Sequence, residues 1–220
     1  MLLGAAYMSG TRLPKDRQLS ARYLLQAAKQ DPASSGSRGQ IALAQYWLAR
    51  MYEQGSGVER SHETAIQYLQ LAASNGNYPA QYDLGTLYND GAEGMTVDKA
   101  RACELFAKAA DQGHVKASHN AGFCYQNGIA GDQDANKAIN YYTRAAEAGN
   151  TGSQHNLGIL FGQMGQAEKS YFWLHVAESS GDTQVTSLIE TVKTHLAAPL
   201  LEAQEKEVAA WLDAHKGQKQ

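Results

Sequence analysis

The chain has 220 residues, 43% of them hydrophobic and 19% charged, which is enough ordinary globular material to bury a substantial core. Four prolines against twelve tyrosines and many alanines favour helices. A net charge of −3 without long runs of like charge excludes the footprint of a nucleic-acid binder, and no stretch reaches the roughly 18–20 consecutive apolar residues of a bilayer span.

Taken in chain order, the elements repeat. Leu3-Gly4 with Tyr7 marks a first helix that has no N-cap before it, so a signal sequence or further repeats are expected upstream of Met1. Asp16 then starts a second helix that runs to Ala27-Ala28, and Asp31 to Gly39 reads as a loop. Leu48-Ala49 with Tyr52 marks the next first helix, and Leu84-Gly85 with Tyr88, Ala121-Gly122 with Tyr125 and Leu157-Gly158 with Phe161 mark the following ones. From Leu48 onward these pairs lie 36, 37 and 36 residues apart, whereas Leu3 precedes Leu48 by 45. A fixed period of this size signals stacked helix pairs.

Within each period the apolar spacing resolves two helices. Ala80, Leu84, Leu87 and Tyr88 share one helical face, and Ala102, Cys103, Leu105, Phe106, Ala109 and Ala110 form the stripe of the partner helix. The second helices start from Asp16, Ser61, Asp98 and Asp134, which are good N-caps, and end at Gly76, Gly113, Gly149 and Gly181, which can adopt the left-handed terminating conformation. Gly85, Gly122 and Gly158 would each cost about 1 kcal/mol against Ala in a helix, so a close approach of the paired helix is expected there.

After Gly181 two further amphipathic helices are expected. One carries Val185, Leu188, Ile189, Val192 and Leu196; the other begins near Pro199 and carries Leu201, Val208, Trp211 and Leu212. They read as a cap over the last repeat, with a separate binding element as the alternative.

Searching the chain for chemistry yields little. There is no phosphate-binding glycine loop, zinc-protease helix motif, nucleophile elbow or metal-spaced Cys/His cluster. Ser61-His62-Glu63 reads as a helix start, and His114 and His175 as structural or solvated histidines. Cys103 and Cys124 sit where neighbouring repeats have Ile, Met or Leu, so they read as small core hydrophobes. No catalytic residue, metal site or cofactor is expected.

The recurring Ala, Leu-Gly, Tyr, acidic, aromatic, Ala-Ala and Gly positions, with Gly55-Ser56-Gly57-Val58 as the clearest loop, resemble the Sel-one-like repeat, a relative of the tetratricopeptide repeat. Two departures are the 127–134 loop, which lacks Gly-x-Gly-Val, and repeat five, about four residues short between Phe161 and Ser170. The disulfide staple of some secreted relatives falls here on Ala110 and Ala117, so it is not expected. The resemblance implies an all-α chain: a right-handed α-α superhelix, a tetratricopeptide-like solenoid of about five helix-turn-helix repeats plus a C-terminal helical cap. The expected boundaries are 1–40, 41–77, 78–114, 115–150 and 151–181 for the repeats, 182–215 for the cap and 216–220 for a disordered tail.

In such a superhelix the first helices line a concave face. Tyr46, Tyr82, His119 and His155 fall two positions before each marker residue, and Arg50, Thr86, Phe123 and Ile159 two positions after it. Stacking would align them in two columns facing a groove, where aromatic and Arg side chains are the usual anchors of a partner. The alternative is that Tyr46, Tyr82, Phe123 and Ile159 pack against neighbouring repeats.

The resemblance implies a non-enzymatic scaffold that binds a protein, such as a secreted effector or an envelope complex. A narrower reading is an inhibitor or immunity protein that neutralises a secreted bacterial toxic effector, and a reading from another class is a hydrolase of cell-wall-like compounds. A periplasmic location with a trimmed signal sequence is preferred, with the cytoplasm as the alternative.

Overall fold

A computed structural model describes Gly4, Ser9 and residues 16–31, 37–91 and 95–215. Leu3, Tyr7, positions 32–36 of the first long loop and the expected tail 216–220 lie outside the described residues. Among the described residues there are eleven α-helices and one 3-10 turn. They fall into two compact units, Met1–His114 and Val115–Gln220.

The first unit contains α1 (Arg17–Ala28), α2 (Arg38–Gln54), α3 (His62–Ser74), α4 (Tyr78–Asp90) and α5 (Lys99–Asp111). Helices α2 and α3 form one antiparallel pair and α4 and α5 the next, with α3 packed on α4 and α1 on α2. The second unit contains α6 (Val115–Asn127), α7 (Ala135–Glu147), α8 (Thr151–Gln163) and α9 (Ala167–Ser179), then the 3-10 turn Thr183–Val185, α10 (Thr186–Lys193) and α11 (Ala198–Ala214). Here α6 pairs with α7 and α8 with α9, and both α10 and α11 pack on α9.

The second helices begin where their cap residues put them. Asp16, Ser61, Asp98 and Asp134 accept the backbone N–H of Leu19, Thr64, Arg101 and Lys137 respectively, satisfying an amide that has no intrahelical partner. The first helices α4 and α8 have caps that the sequence reading missed: Asn77 accepts from Ala80 and Asn150 from Ser153. Gly76, Gly113, Gly149 and Gly181 all have φ between 86° and 102°, which turns the chain out of each second helix.

Among the described residues, one hydrogen bond closes each of the four links from a first to a second helix. The cap residue donates its N–H to the carbonyl of the marker aromatic: Ser61 to Tyr52 at 3.0 Å, Asp98 to Tyr88 at 2.8 Å, Asp134 to Tyr125 at 2.9 Å and Gln166 to Phe161 at 2.9 Å. Loops of different length and composition therefore return the chain to the same point. The aromatic rings are also held from outside, by stacking of Tyr52 on Tyr68 and Tyr125 on Tyr141, and by Arg101 over Tyr88 and Lys169 over Phe161.

The glycines of the first helices sit where the paired helix comes closest. A Cβ on Gly85 would meet the Phe106 ring at 2.8 Å, and one on Gly158 would meet Leu174 at 2.5 Å. Beside them run buried polar groups that join one repeat to the next. Gln45, Gln81 and Gln154 donate to the carbonyls of Ala28, Ala73 and Ala146, each near the end of the preceding second helix, where carbonyls lack intrahelical donors. Gln45 and Gln81 in turn accept from Asn75 and Gln112, the C-cap residues of α3 and α5.

Of the apolar residues expected in the last two helices, Val185, Ile189 and Val208 are buried, while Leu188, Val192, Leu196, Leu201, Trp211 and Leu212 are half-buried. Val185 and Ile189 enter a cluster with Tyr171, Leu174 and Ala177, and Val208 joins Tyr142, Trp173 and Val176, with Trp211 edge-on to Trp173 at 5.9 Å.

Cys103 and Cys124 are buried, as their positions in the stripe suggested, but neither is a free thiol: both are disulfide-bonded. The reading of them as plain core hydrophobes is corrected. Sequence position reports burial, whereas disulfide formation depends on how the Cβ atoms approach in space.

Candidate functional site

The first-helix residues of the first unit converge on a groove of about 630 Å³. Ala49, Arg50 and Glu53 of α2 form one wall and Tyr82, Asp83, Thr86 and Leu87 of α4 the other; His62, Ala65, Ile66 and Leu69 of α3 form the floor. Leu87, read as part of the buried stripe, is only half-buried and faces this space. Of the four expected residues in this unit, the groove brings together Arg50, Tyr82 and Thr86. Tyr46 stands behind them and donates its hydroxyl to Asp83 Oδ2 at 3.1 Å. Burial, reinforced by the neighbouring Asp83 carboxylate, pushes the Tyr46 hydroxyl above its ordinary pKa.

The polar rim is partly committed within the protein. His62 Nδ1 lies 2.9 Å from Glu53 Oε2, and Arg60 reaches both the Glu53 carbonyl and His62 Nε2 at 3.0 Å. Ser61 caps α3 as read from sequence, so the Ser61-His62-Glu63 run serves a helix start. Tyr82 stacks on His114, with ring centroids 4.4 Å apart, and tilts against Phe106.

In the second unit the corresponding side chains are arranged differently. His119 Nδ1 lies 2.8 Å from Ser153 Oγ and its ring packs against Tyr142; burial holds its pKa below the ordinary histidine value. His155 Nδ1 lies 2.6 Å from Asp182 Oδ2, and this hydrogen bond holds the Asp182 carboxyl below its usual range. Phe123 is 49% exposed. Ile159 lines a second groove, of about 440 Å³, with Leu174 of α9 and Leu188 and Val192 of α10.

The two columns therefore do different things. Tyr46 and His119 reach the next helix pair through Asp83 and Ser153, His155 reaches Asp182 in the turn after α9, and Tyr82 stacks on His114 at the end of its own repeat. Arg50, Thr86 and Ile159 line open space and Phe123 projects outward. His175, read as structural, packs edge-on against Tyr171 and pairs with Glu178 at 3.4 Å, while its buried Nε2 has no hydrogen-bond partner. Among the described residues no group of three His, Cys, Asp or Glu is arranged to hold a metal ion, and no helix is long and apolar enough to cross a membrane.

Comparison with known proteins matches this geometry to its relatives. A Sel1 repeat protein of Oxalobacter formigenes, known from its crystal structure, aligns with a TM-score of 0.66 at 25% identity, over 85% of this chain and 74% of that one. The chitin synthase regulator SKT5 of Saccharomyces cerevisiae is 29% identical over 103 residues, 46% of this chain and 15% of that protein. The alginate biosynthesis protein AlgK of Azotobacter vinelandii is 33% identical over 110 residues, 50% of this chain and 21% of that protein. The chain thus covers less than a quarter of the length of either curated relative. The Sel1 repeat family model matches residues 1–32, 42–77, 79–114, 115–150 and 151–182. Because those five segments take in most of the chain and the last four each hold one of its helix pairs, the protein belongs to the Sel1 repeat family, whose members are typically protein-interaction scaffolds.

Proposed function

We propose that this protein is a non-enzymatic scaffold that binds a partner protein through the face presented by its first helices. The observation that carries this reading is the groove between α2 and α4, where Arg50, Tyr82 and Thr86 stand over an apolar floor of Ala65, Ile66 and Leu69. A concave apolar site with a few polar groups on its rim is the usual form of a recognition surface. The name of the yeast relative, a regulator of chitin synthase, supports a role exercised on another protein rather than on a small substrate.

The test is photo-crosslinking in the native cell from a benzophenone amino acid placed at Thr86 or at Phe123. A single recurrent protein adduct from either position, absent when the probe sits at the outward-facing Gln67 of α3, is the expected result. Adducts from neither position would overturn the reading.

We further place the protein in an oxidising compartment, the periplasm in a bacterial source. Both cysteines are disulfide-bonded, and such bonds persist where thiols are not kept reduced. Alkylation of the denatured protein isolated directly from cells should label neither cysteine before reduction; full labelling without reductant would refute this location.

A further inference from the structure

Helix α11 is held by little. Val208 is the one buried residue of its seventeen, whereas α9, on which it packs, buries six of thirteen. An element with few buried apolar contacts opens locally at low free energy. Trp211 rests edge-on against Trp173, and the Tyr171 hydroxyl donates to Glu205 Oε1 across 3.5 Å, longer than a strong O–H···O bond.

One turn along α9 from Tyr171, and edge-on to its ring, stands His175. Its Nδ1 faces Glu178 Oε2 at 3.4 Å, while Glu178 Oε1 accepts the hydroxyl of Thr186, the first residue of α10, at 2.8 Å. Its Nε2 is buried and has no hydrogen-bond partner. With the proton of the neutral ring on Nδ1, Nε2 carries only a lone pair; a second proton would make it a buried donor with nothing to accept it. The charged groups that act on this ring are Glu178 on α9, Glu190 and Lys193 on α10 and Glu205 on α11; α8, also packed on α9, adds none. Glu190 and Lys193 are paired with each other at 2.8 Å. Burial outweighs the pull of the three carboxylates and Lys193 adds to it, so the folded protein resists protonation of His175.

We propose that α11 is an acid-released cap: protonation of His175 frees it from α9 and uncovers Trp173 and Val176, while the helix pairs of the second unit stay folded. Because Glu205 of α11 is among the groups around His175, departure of α11 admits water to the ring. The released state therefore takes up a proton that the closed state refuses. Closure is fully stable above the ordinary histidine value of 6.5 and weakens as the pH falls from there towards the lower value of the closed state. The apolar surface that Val208 covers, formed with Trp173, Val176 and Tyr142, is then exposed.

The test is fluorine NMR of the full chain labelled with fluorotryptophan, which reports separately on Trp47, Trp173 and Trp211. Between about pH 7.5 and about pH 5.5 the Trp211 and Trp173 signals should gain the solvent isotope shift of exposed rings, with Trp47 unmoved and most of the far-UV ellipticity kept. His175→Leu should hold both signals at their neutral-pH positions. Two variants outside the core report even if His175→Leu impairs packing. Glu205→Gln removes a charge that favours the proton but keeps an acceptor for Tyr171, so release should move to higher pH; Lys193→Gln removes a charge that opposes the proton, so release should move to lower pH. Signals that do not change over this range, a transition unaltered in His175→Leu, shifts in the same direction for both Gln variants, or an ellipticity that collapses together with the Trp211 signal would each overturn the proposal.

Discussion

The ring of Tyr142 occupies the space that a side chain at Gly122 would need. A Cβ on Gly122 would stand 2.6 Å from Tyr142 Cδ1, and the tyrosine cannot retreat because it is fully buried, with its hydroxyl bonded to Gln126 at 2.8 Å. Glycine in mid-helix α6 is therefore the condition for α7 to approach. Repeat two solves the same contact with the opposite pair, Ala49 in α2 and the smaller Leu69 in α3.

Gly122→Ala is accordingly expected to destabilise, although alanine is the better helix former. Overpacking costs about 1–3 kcal/mol against a propensity gain of about 1, for a net loss on the order of 1–2 kcal/mol. Urea denaturation followed by circular dichroism measures it. Adding Tyr142→Leu, which copies repeat two, should recover part of the loss; a more stable single variant would contradict the packing account.

Gln154 offers a gain. It is buried and donates to Ala146, but its Oε1 has no partner, whereas the matching oxygens of Gln45 and Gln81 accept from Asn75 and Gln112. The C-cap residue that could supply the donor is Ser180, whose φ and ψ of −85° and 0° nearly coincide with the −85° and 7° of Asn75. Ser180→Asn should add about 1 kcal/mol, a rise in Tm of roughly 2–4 °C by differential scanning calorimetry. No rise would mean the site is already satisfied by solvent.

Acid should weaken the second unit in two stages. Burial lowers the pKa of His119 and His175, so the unfolded chain binds protons that the folded one refuses, and stability falls as the pH drops through the ordinary histidine value of 6.5. Asp182, held low by His155, contributes stability above the ordinary carboxylate value of 3.8, and that contribution is lost as the pH falls through its lower folded pKa. Thermal melts at successive pH values should show His175→Leu with a shallower loss between about pH 7.5 and 5, and Asp182→Asn with a shallower loss below about pH 4.

Stability and binding should separate along the two columns. Tyr46→Phe deletes the bond to Asp83 and should cost about 0.5–1.5 kcal/mol, while Arg50→Ala and Phe123→Ala, at exposed positions, should stay within about 0.5 kcal/mol of wild type. Peptide or partner binding should respond in the reverse order. Equal effects of all three on the melting temperature would show that both columns serve packing.

Periodicity made most of this architecture legible. The caps Asp16, Ser61, Asp98 and Asp134 and the terminating glycines could be read directly, because each works through hydrogen bonds or dihedral angles within a few residues of itself. The differing first-to-second loops were harder to interpret. The 127–134 loop and the shortened link after Phe161 looked like departures, yet both end in the same bond from cap to aromatic carbonyl as the regular loops, a backbone contact that carries no side-chain signature.

Of the candidate site, sequence alone determined which residues fall on the first-helix face, since that depends only on helical phase. It could not divide that face into its two roles. Whether Tyr46 turns to Asp83 or His155 to Asp182 is decided by distances between side chains remote along the chain. Local propensity sets each helix; only the packed arrangement of helices sets which polar groups are consumed within the protein and which stay exposed to solvent.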